Sequence, residues 1–285
     1  MSFFQQNYDK PGPGVERDTP RKTGFARIVE VLSRDFFSFW KASALLLVSC
    51  VPLAVGMRIA LLTSNAFVLL LAAALGGMIA GPQLCGVADT ILRSLRDEPG
   101  YWWETYRRVW KRNARESLVP GMLTGLVLSM QIFTLFHMSV ISAGIVTWVL
   151  LILSFVVTLG LESYIWPQIA LLDLPLYGIL KNSLLLFLGY LPRSLGAIAI
   201  KAVYWGAILL FFPLTTIILP FTNFWLPMLP ALLCIYQPLN KCFTIESTIN
   251  KMREDELNAA LAKDNEPLPE ESTEASSDDS SSDVQ

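Results

Sequence analysis

The stretch that decides how this chain is arranged is RSLRDEPGYWWETYRRVWKRNAR, residues 93–115. It is basic and aromatic, and it lies between two apolar runs that are each long enough to cross a bilayer. Loops rich in Lys and Arg that border membrane spans stay on the cytosolic side. The stretch therefore predicts an integral membrane protein, and it predicts which way the chain threads the membrane.

The apolar runs on either side of that stretch define the fold class. The chain has 285 residues, of which 53% are hydrophobic and 16% are charged, and the charges are bunched. Residues 59–88, 117–161 and 202–240 carry no charge, and each run exceeds the roughly 20 residues that a helical span requires. The runs are continuously apolar and lack the alternation of lipid-facing barrel strands. The sequence thus predicts an all-α, polytopic membrane helix bundle.

Six transmembrane helices account for this pattern. Short connections with almost no Lys or Arg alternate with basic ones, and an even number of spans leaves both termini on the basic, cytosolic side. Residues 174–192 are apolar but carry Lys181 at their centre and are too short for a seventh span. They are expected to form a re-entrant or surface-lying cytosolic helix. The predicted spans are residues 36–58, 64–88, 118–137, 142–166, 195–219 and 225–242.

Charge divides the chain into a membrane domain and two polar ends. The formal net charge is −2, but residues 1–253 hold 21 basic and 13 acidic residues, which gives +8, whereas residues 254–285 hold one Lys and 11 acids, which gives −10. Polar segments with few apolar residues cannot bury enough surface to offset the entropy of ordering. The sequence therefore predicts a disordered arm over residues 1–23, a transmembrane domain over 24–250 and a disordered acidic tail over 254–285.

Residues 101–117 predict an amphipathic helix at the cytosolic membrane surface. At 100° per residue, the aromatic side chains fall on one face and the cations on the opposite face. Such a helix suits the headgroup layer, where each cation near anionic lipid adds on the order of 1 kcal/mol. Nucleic-acid binding is not expected, because the aromatic residues are segregated from the cations. The candidate contacts with lipid headgroups or with a protein partner are Trp102, Trp103, Tyr106, Arg107, Arg108, Trp110, Lys111 and Arg112.

Two ionisable residues inside the predicted spans form the other candidate site. Glu162 and Lys201 lie at similar depth in the fourth and fifth spans, so a Glu162–Lys201 pair is predicted within the membrane. The sequence carries no recognisable catalytic, cofactor-binding or metal-binding motif, and its four cysteines are scattered. The chain is therefore expected not to be an enzyme and to need no cofactor or metal.

Three segments of the chain carry a family resemblance. The first begins with GFARI at residues 24–28 and continues to SCVPLAVG at 49–56. The second is LRDEPGY at residues 95–101, which leads into the aromatic and basic helix. The third extends over residues 171–192, from LLD to LP. Together they resemble the YesL-like family of bacterial integral membrane proteins, which carry a domain of unknown function. The resemblance covers residues 24–245 and implies a protein of the bacterial cytoplasmic membrane that occurs beside carbohydrate-uptake transporters and their sensor systems.

The leading expectation for function combines that resemblance with the helix over residues 101–117. The chain is expected to be an accessory or regulatory component of a carbohydrate transporter or sensor complex, with this helix as the docking surface. One alternative is a small membrane transporter or channel. A second alternative is a lipid-binding membrane organiser that uses the cations to bind anionic headgroups.

Overall fold

The structure is a computed structural model, and it describes residue 22 and residues 24–98, 100–138, 140 and 144–264. Within these residues all regular secondary structure is helical, which confirms the all-α fold class. The chain divides into two compact units, residues 1–239 and residues 240–285.

Ten α-helices make up most of the described part of the chain, together with a 3₁₀ turn at Leu214–Thr216. The helices are α1 Phe25–Ser49, α2 Val51–Thr63, α3 Ala66–Arg96, α4 Trp102–His137, α5 Ile145–Leu171, α6 Leu176–Gly189, α7 Leu191–Leu210, α8 Leu219–Thr222, α9 Trp225–Phe243 and α10 Ile245–Asp264.

Six candidate spans emerge from these helices. Helices α3, α4, α5 and α7 are each long and apolar enough to cross a membrane, and so is the segment Leu219–Phe243 that contains α8 and α9. Helices α1 and α2 form a sixth span when the bend of 42° between them is counted as part of one crossing. The prediction of a polytopic helix bundle with about six spans is therefore confirmed for the described residues.

The first span is bent, whereas the sequence predicts one continuous helix over residues 36–58. Helix α1 begins at Phe25, well before the predicted span, and ends at Ser49. Pro52 lies in the first turn of α2, where its missing N–H is tolerated, whereas inside a helix its ring would clash with the preceding turn. Pro52 therefore favours a break at this point without requiring one, since Pro82 and Pro120 lie inside α3 and α4.

Helix α4 joins two features that the sequence analysis separates. The predicted surface helix 101–117 and the predicted span 118–137 form one helix of 36 residues, about 54 Å long at 1.5 Å per residue. The prediction of a separate surface helix is wrong. The change from polar to apolar side chains marks a change of environment and not the end of a helix. Arg, Lys, Glu and Ala before it and Leu and Met after it favour helix, and α4 continues through Pro120.

The connection between the last two spans also differs from the prediction. The predicted span is residues 195–219, whereas α7 begins earlier, at Leu191, and ends sooner, at Leu210. Pro213 favours the end of the helix, because it lacks an N–H and its ring crowds the carbonyl group one turn before it. Pro220 then lies in the first turn of α8, where proline is favoured.

Helix α6 accounts for the apolar segment 174–192. Its 14 residues give a length of about 21 Å, which is short of the ~30 Å hydrocarbon core. Ser183 bonds to Gln168 of α5, and the Phe187 ring lies against Gly160 of α5. Helix α6 is thus antiparallel to α5 and extends along it, as a re-entrant helix would, rather than across its end.

Helices α3 and α4 form the most extensive helix pair, and small residues allow their backbones to approach closely. A Cβ atom added at Gly125 would lie 2.6 Å from the carbonyl oxygen of Ala73, and one added at Gly121 would lie 2.9 Å from the Cα of Gly81. The spacing of four residues on both helices is the small-xxx-small pattern of close membrane packing. This antiparallel hairpin brings the end of α3 beside the start of α4.

In the second unit, α10 extends to Asp264, and the Glu246 N–H donates to Asn240 Oδ1 at 3.0 Å. The predicted disordered tail is therefore wrong for residues 254–264, which continue a helix through good helix formers such as Glu, Leu and Ala. The remaining tail, residues 265–285, and the predicted arm over residues 1–23, except for Lys22, lie outside the described residues.

Candidate functional site

An ion-paired cluster joins the start of α1 to the end of α3. The Nη2 of Arg27 lies 2.7 Å from Oδ2 of Asp97 and donates to the Leu95 carbonyl oxygen at 2.8 Å. Arg34 pairs with the other carboxylate oxygen of Asp97 and donates from Nη2 to the Ser94 carbonyl oxygen at 2.7 Å. Both cations therefore satisfy terminal carbonyl groups of α3 and match the negative end of its dipole.

Asp97 is the centre of this cluster and caps α3. Its φ of 59° is left-handed, a conformation that Asp adopts more readily than most residues and that commonly ends a helix. Partial burial would raise the pKa of the Asp97 carboxyl, but hydrogen bonds from Arg34 and Arg27 outweigh it and hold that pKa below its ordinary value. Asp97 is therefore ionised in the folded protein at neutral pH.

The basic residues at the end of α3 are also paired. Arg93 Nε lies 2.8 Å from Oδ2 of the buried Asp89, one turn earlier in the helix. Arg96 Nε lies 2.7 Å from Oε1 of Glu98, and both side chains are largely buried. Arg93 and Arg96 are thus neutralised, the first by an acid of α3 and the second by an acid just after α3.

The second part of that stretch presents the cationic face of α4, formed by Arg107, Arg108, Lys111 and Arg112. All four side chains are exposed. Arg108 lies 3.9 Å from Glu104, but both side chains are at least 70% exposed, so this pair is worth less than about 1 kcal/mol. Arg112 donates from Nη2 to the Ala170 carbonyl oxygen at 2.7 Å, which ties α4 to the end of α5.

The aromatic face of α4 packs against protein at Tyr106 and only in part elsewhere. Tyr106 is buried, and its hydroxyl donates to Oε1 of Gln83 on α3. Lys41 of α1 lies 5.5 Å from the centroid of the Trp102 ring, in cation–π geometry. Trp103 remains 50% exposed, and Trp110 is partly buried. The expectation that this face anchors in the headgroup layer is therefore wrong for Tyr106, because the helix hairpin needs that face for its own packing.

Glu162 and Lys201 lie on neighbouring helices, but they bond to other residues. Lys201 Nζ donates to Oγ of Ser163 at 2.9 Å, and Glu162 Oε1 accepts from Nε1 of Trp166 at 3.3 Å. Within the described residues the two side chains form no ion pair within 4.0 Å. The Glu162–Lys201 pair stays a prediction, and Ser163 is the residue that Lys201 contacts.

A buried polar network links α5 to α6 and α7. Its members were not among the residues predicted from the sequence. Gln168 Nε2 donates to Oγ of Ser183 at 2.8 Å. The hydroxyls of Tyr164 and Ser194 share a hydrogen bond of 2.9 Å. The sequence did contain a sign of this network, because polar residues within apolar runs need hydrogen-bond partners inside a membrane. The sequence does not show which of these residues pair with each other.

Among the described residues, one cavity lies beside the end of α3 and another lies beside the end of α5. One, of about 60 Å³, is lined by residues of α1, the end of α3 and the start of α4, among them Asp35, Arg93 and Glu98. The other, of about 300 Å³, lies between α4 and the link from α5 to α6. The volume of the second cavity is at the lower limit for a small-molecule site.

The fold and the charged end define a class, the polytopic helical membrane proteins. Within the described residues, no group of three or more His, Cys, Asp or Glu side chains is arranged to hold a metal ion. Comparison with models of protein families, with curated proteins and with solved structures finds no match to this chain.

Proposed function

We propose that this protein is an accessory or regulatory subunit without catalytic activity, and that the cationic face of α4 binds an acidic surface of its partner. The resemblance to the YesL-like family suggests the setting, which is carbohydrate uptake or sensing at the bacterial cytoplasmic membrane. The positive-inside rule suggests the orientation, with both termini and the cationic face in the cytosol.

The observation that carries the proposal is the contrast between two sets of cations at the same end of the helices. Arg27, Arg34 and Arg93 are paired with acids and stabilise the junction of α1 with α3. Among the described residues, Arg107 and Lys111 have no ion pair, and both are exposed. A row of open cations on one helix face is a common recognition element for an acidic partner.

The packing of α4 on the side opposite the cations supports the same function. The side of α4 opposite the cations is fixed by the Tyr106–Gln83 hydrogen bond and by Asn113, which is 1% exposed. A surface that is already ordered loses little conformational entropy when a partner binds. The cationic face is therefore suited to docking without a folding step.

The test is affinity purification in mild detergent with a triple variant, Arg107→Gln, Arg108→Gln and Lys111→Gln. Arg112 is spared because its bond to the Ala170 carbonyl holds α4 to α5. A matched control triple neutralises three exposed cations elsewhere, by Arg58→Gln, Lys181→Gln and Arg193→Gln. Both triples remove the same total charge.

The expected result is a transporter or sensor component that co-purifies with the wild type and with the control triple but not with the α4 triple. Equal retention by all three proteins would refute the docking site. Recovery of lipid alone, with no protein partner in any sample, would refute the accessory function.

A second candidate function is lipid binding, and the bond from Arg112 to Ala170 favours it. This bond brings part of the cationic face level with the end of α5, three residues before Asp173. Anionic headgroups lie at this level of a membrane protein. The lipid function predicts that the α4 triple loses retained anionic phospholipid while the control triple does not.

A further inference from the structure

The larger cavity, between α4 and the link from α5 to α6, has the features of a lipid headgroup site. We propose that it binds a phospholipid whose headgroup carries both a phosphate and a primary ammonium, that is, phosphatidylethanolamine. The inference does not depend on the proposed docking function, because it concerns other residues.

The lining of the cavity combines an apolar wall with a charged rim. Its volume of about 300 Å³ is ample for such a headgroup, whereas the cavity of about 60 Å³ near α1 holds little more than water. Three charged side chains converge on it, one cation and two carboxylates. The rim consists of Arg115, Glu116 and Asp173, and the wall of Val119, Leu174, Pro175, Leu176 and Ile179.

The charges on the rim are not used by the fold. All three side chains are exposed, and none forms an ion pair with another described residue. The smaller cavity is different, because its Arg93 is paired with Asp89 and approaches Glu98 at 3.8 Å. Charges left open around a cavity are available to a ligand.

The mixture of signs selects the chemistry of that ligand. Two carboxylates disfavour a ligand that is only anionic, and the Arg115 guanidinium disfavours one that is only cationic. A headgroup with a phosphate and an ammonium satisfies both signs. A primary ammonium also donates hydrogen bonds to Glu116 and Asp173, which a quaternary choline cannot do.

The start of α6 adds a second contribution for the phosphate. Leu174 to Leu176 line the cavity, so the first turn of this helix of 14 residues borders it. No side chain caps the N-terminus of α6, because Pro175 occupies the cap position. Free N–H groups and the positive end of the helix dipole favour an anion there, next to Arg115.

The position of the cavity along α4 favours a ligand from the bilayer. Arg115 and Val119 lie on either side of residue 118, where the predicted third span begins. Val119 is 43% exposed and Leu123, one turn further along α4, is 42% exposed. An apolar strip therefore leads from the cavity along the helix, and acyl chains attached to the bound headgroup can lie along it.

The test is native mass spectrometry of the full chain in detergent, with phosphatidylethanolamine, phosphatidylcholine and phosphatidylglycerol of identical acyl chains added in turn. The variants Glu116→Gln and Asp173→Asn each remove one proposed ammonium contact. Glu104→Gln is the matched control, because it neutralises an exposed acid of α4 outside the cavity. Val119→Trp fills the cavity and keeps all three charges.

Wild type and Glu104→Gln are expected to retain phosphatidylethanolamine in preference to the other two lipids. Glu116→Gln and Asp173→Asn should each weaken that retention roughly tenfold, the usual effect of losing a hydrogen bond to a charged group. Val119→Trp should abolish it in a protein that still elutes as a single folded species.

Three results would overturn the assignment. The first is equal retention of all three lipids by the wild type. The second is an unchanged preference for phosphatidylethanolamine in Glu116→Gln, Asp173→Asn and Val119→Trp. The third is displacement of the lipid by soluble phosphoethanolamine at the same concentration, which would make the headgroup alone the ligand.

Discussion

The close approach of α3 and α4 predicts that Gly125→Ala destabilises the protein. An added Cβ would lie 2.6 Å from the carbonyl oxygen of Ala73 and 2.9 Å from the Cα of Gly77, whereas ordinary contacts begin near 3.4 Å. Both obstacles are main-chain atoms, so no side-chain rotation relieves them. The two helices must move apart by a large part of an ångström along their tightest contact.

The magnitude follows from two opposing effects. Forcing an extra carbon into a packed interface costs about 1–3 kcal/mol, and main-chain obstacles favour the upper half of that range. Replacing Gly by Ala inside a helix stabilises the helix by up to about 1 kcal/mol. The net loss should be about 1–2 kcal/mol, which lowers the unfolding midpoint of a chain of this size by roughly 2–8 °C.

The assay is thermal unfolding in detergent, followed by tryptophan fluorescence at one fixed scan rate. Gly206→Ala on α7 is the matched control, because no atom lies within 4 Å of the added Cβ there. That variant should keep or slightly raise the wild-type midpoint. If Gly125→Ala unfolds at the same temperature as Gly206→Ala, the close approach of α3 and α4 is wrong.

Further predictions concern the charged groups, and the same thermal assay checks them. Asp97→Asn should lower the free energy of unfolding by about 2 kcal/mol, because Arg27 and Arg34 lose a shared partner. This value lies between the contributions of an exposed and a buried ion pair. Because the pKa of Asp97 is lowered on folding, its stabilisation is complete above the unfolded pKa of about 3.9 and is lost as the pH falls through the lowered pKa. The wild type should therefore lose stability in that window while Asp97→Asn loses less. Ser163→Ala should cost about 1 kcal/mol by removing the partner of Lys201, whereas Lys201→Met should be neutral or stabilising. Equal losses from the last two variants would contradict this assignment.

The number of spans could be predicted because a bilayer imposes a simple requirement on the chain. Each crossing needs about 20 apolar residues, and charge-free runs of that length are visible without knowing any contact. The break between α1 and α2 was not predictable in the same way. Pro52 favours a helix start there, but Pro82, Pro120 and Pro167 lie inside α3, α4 and α5, so proline alone does not place a break. The bend depends on what the two helices pack against.

The separate helix over residues 101–117 was predicted from polarity, and polarity does not end a helix. Only the structure shows that α4 continues through that boundary and that Tyr106 points at Gln83 rather than into lipid. The hydrophobic pattern of an amphipathic helix is the same whether its apolar face meets a bilayer or another helix. The partner of that face is a tertiary property.

The charged residues illustrate the same division. Arg93, Arg96 and Arg107 belong to one basic stretch, yet the first two are paired with acids and the third is open to solvent. Net charge along the stretch predicts orientation in the membrane, since that depends on a sum. It does not predict which cations are available for binding, since that depends on individual distances.

By itself, the sequence determined that this protein is an all-α membrane protein with about six spans, because hydrophobic length and local backbone chemistry act residue by residue. The tertiary structure alone decided that Asp97 holds Arg27 and Arg34, that glycines bring α3 against α4, and that Arg115, Glu116 and Asp173 surround one cavity. These arrangements join residues far apart in the chain, and their energies depend on distance in space rather than on position in the sequence.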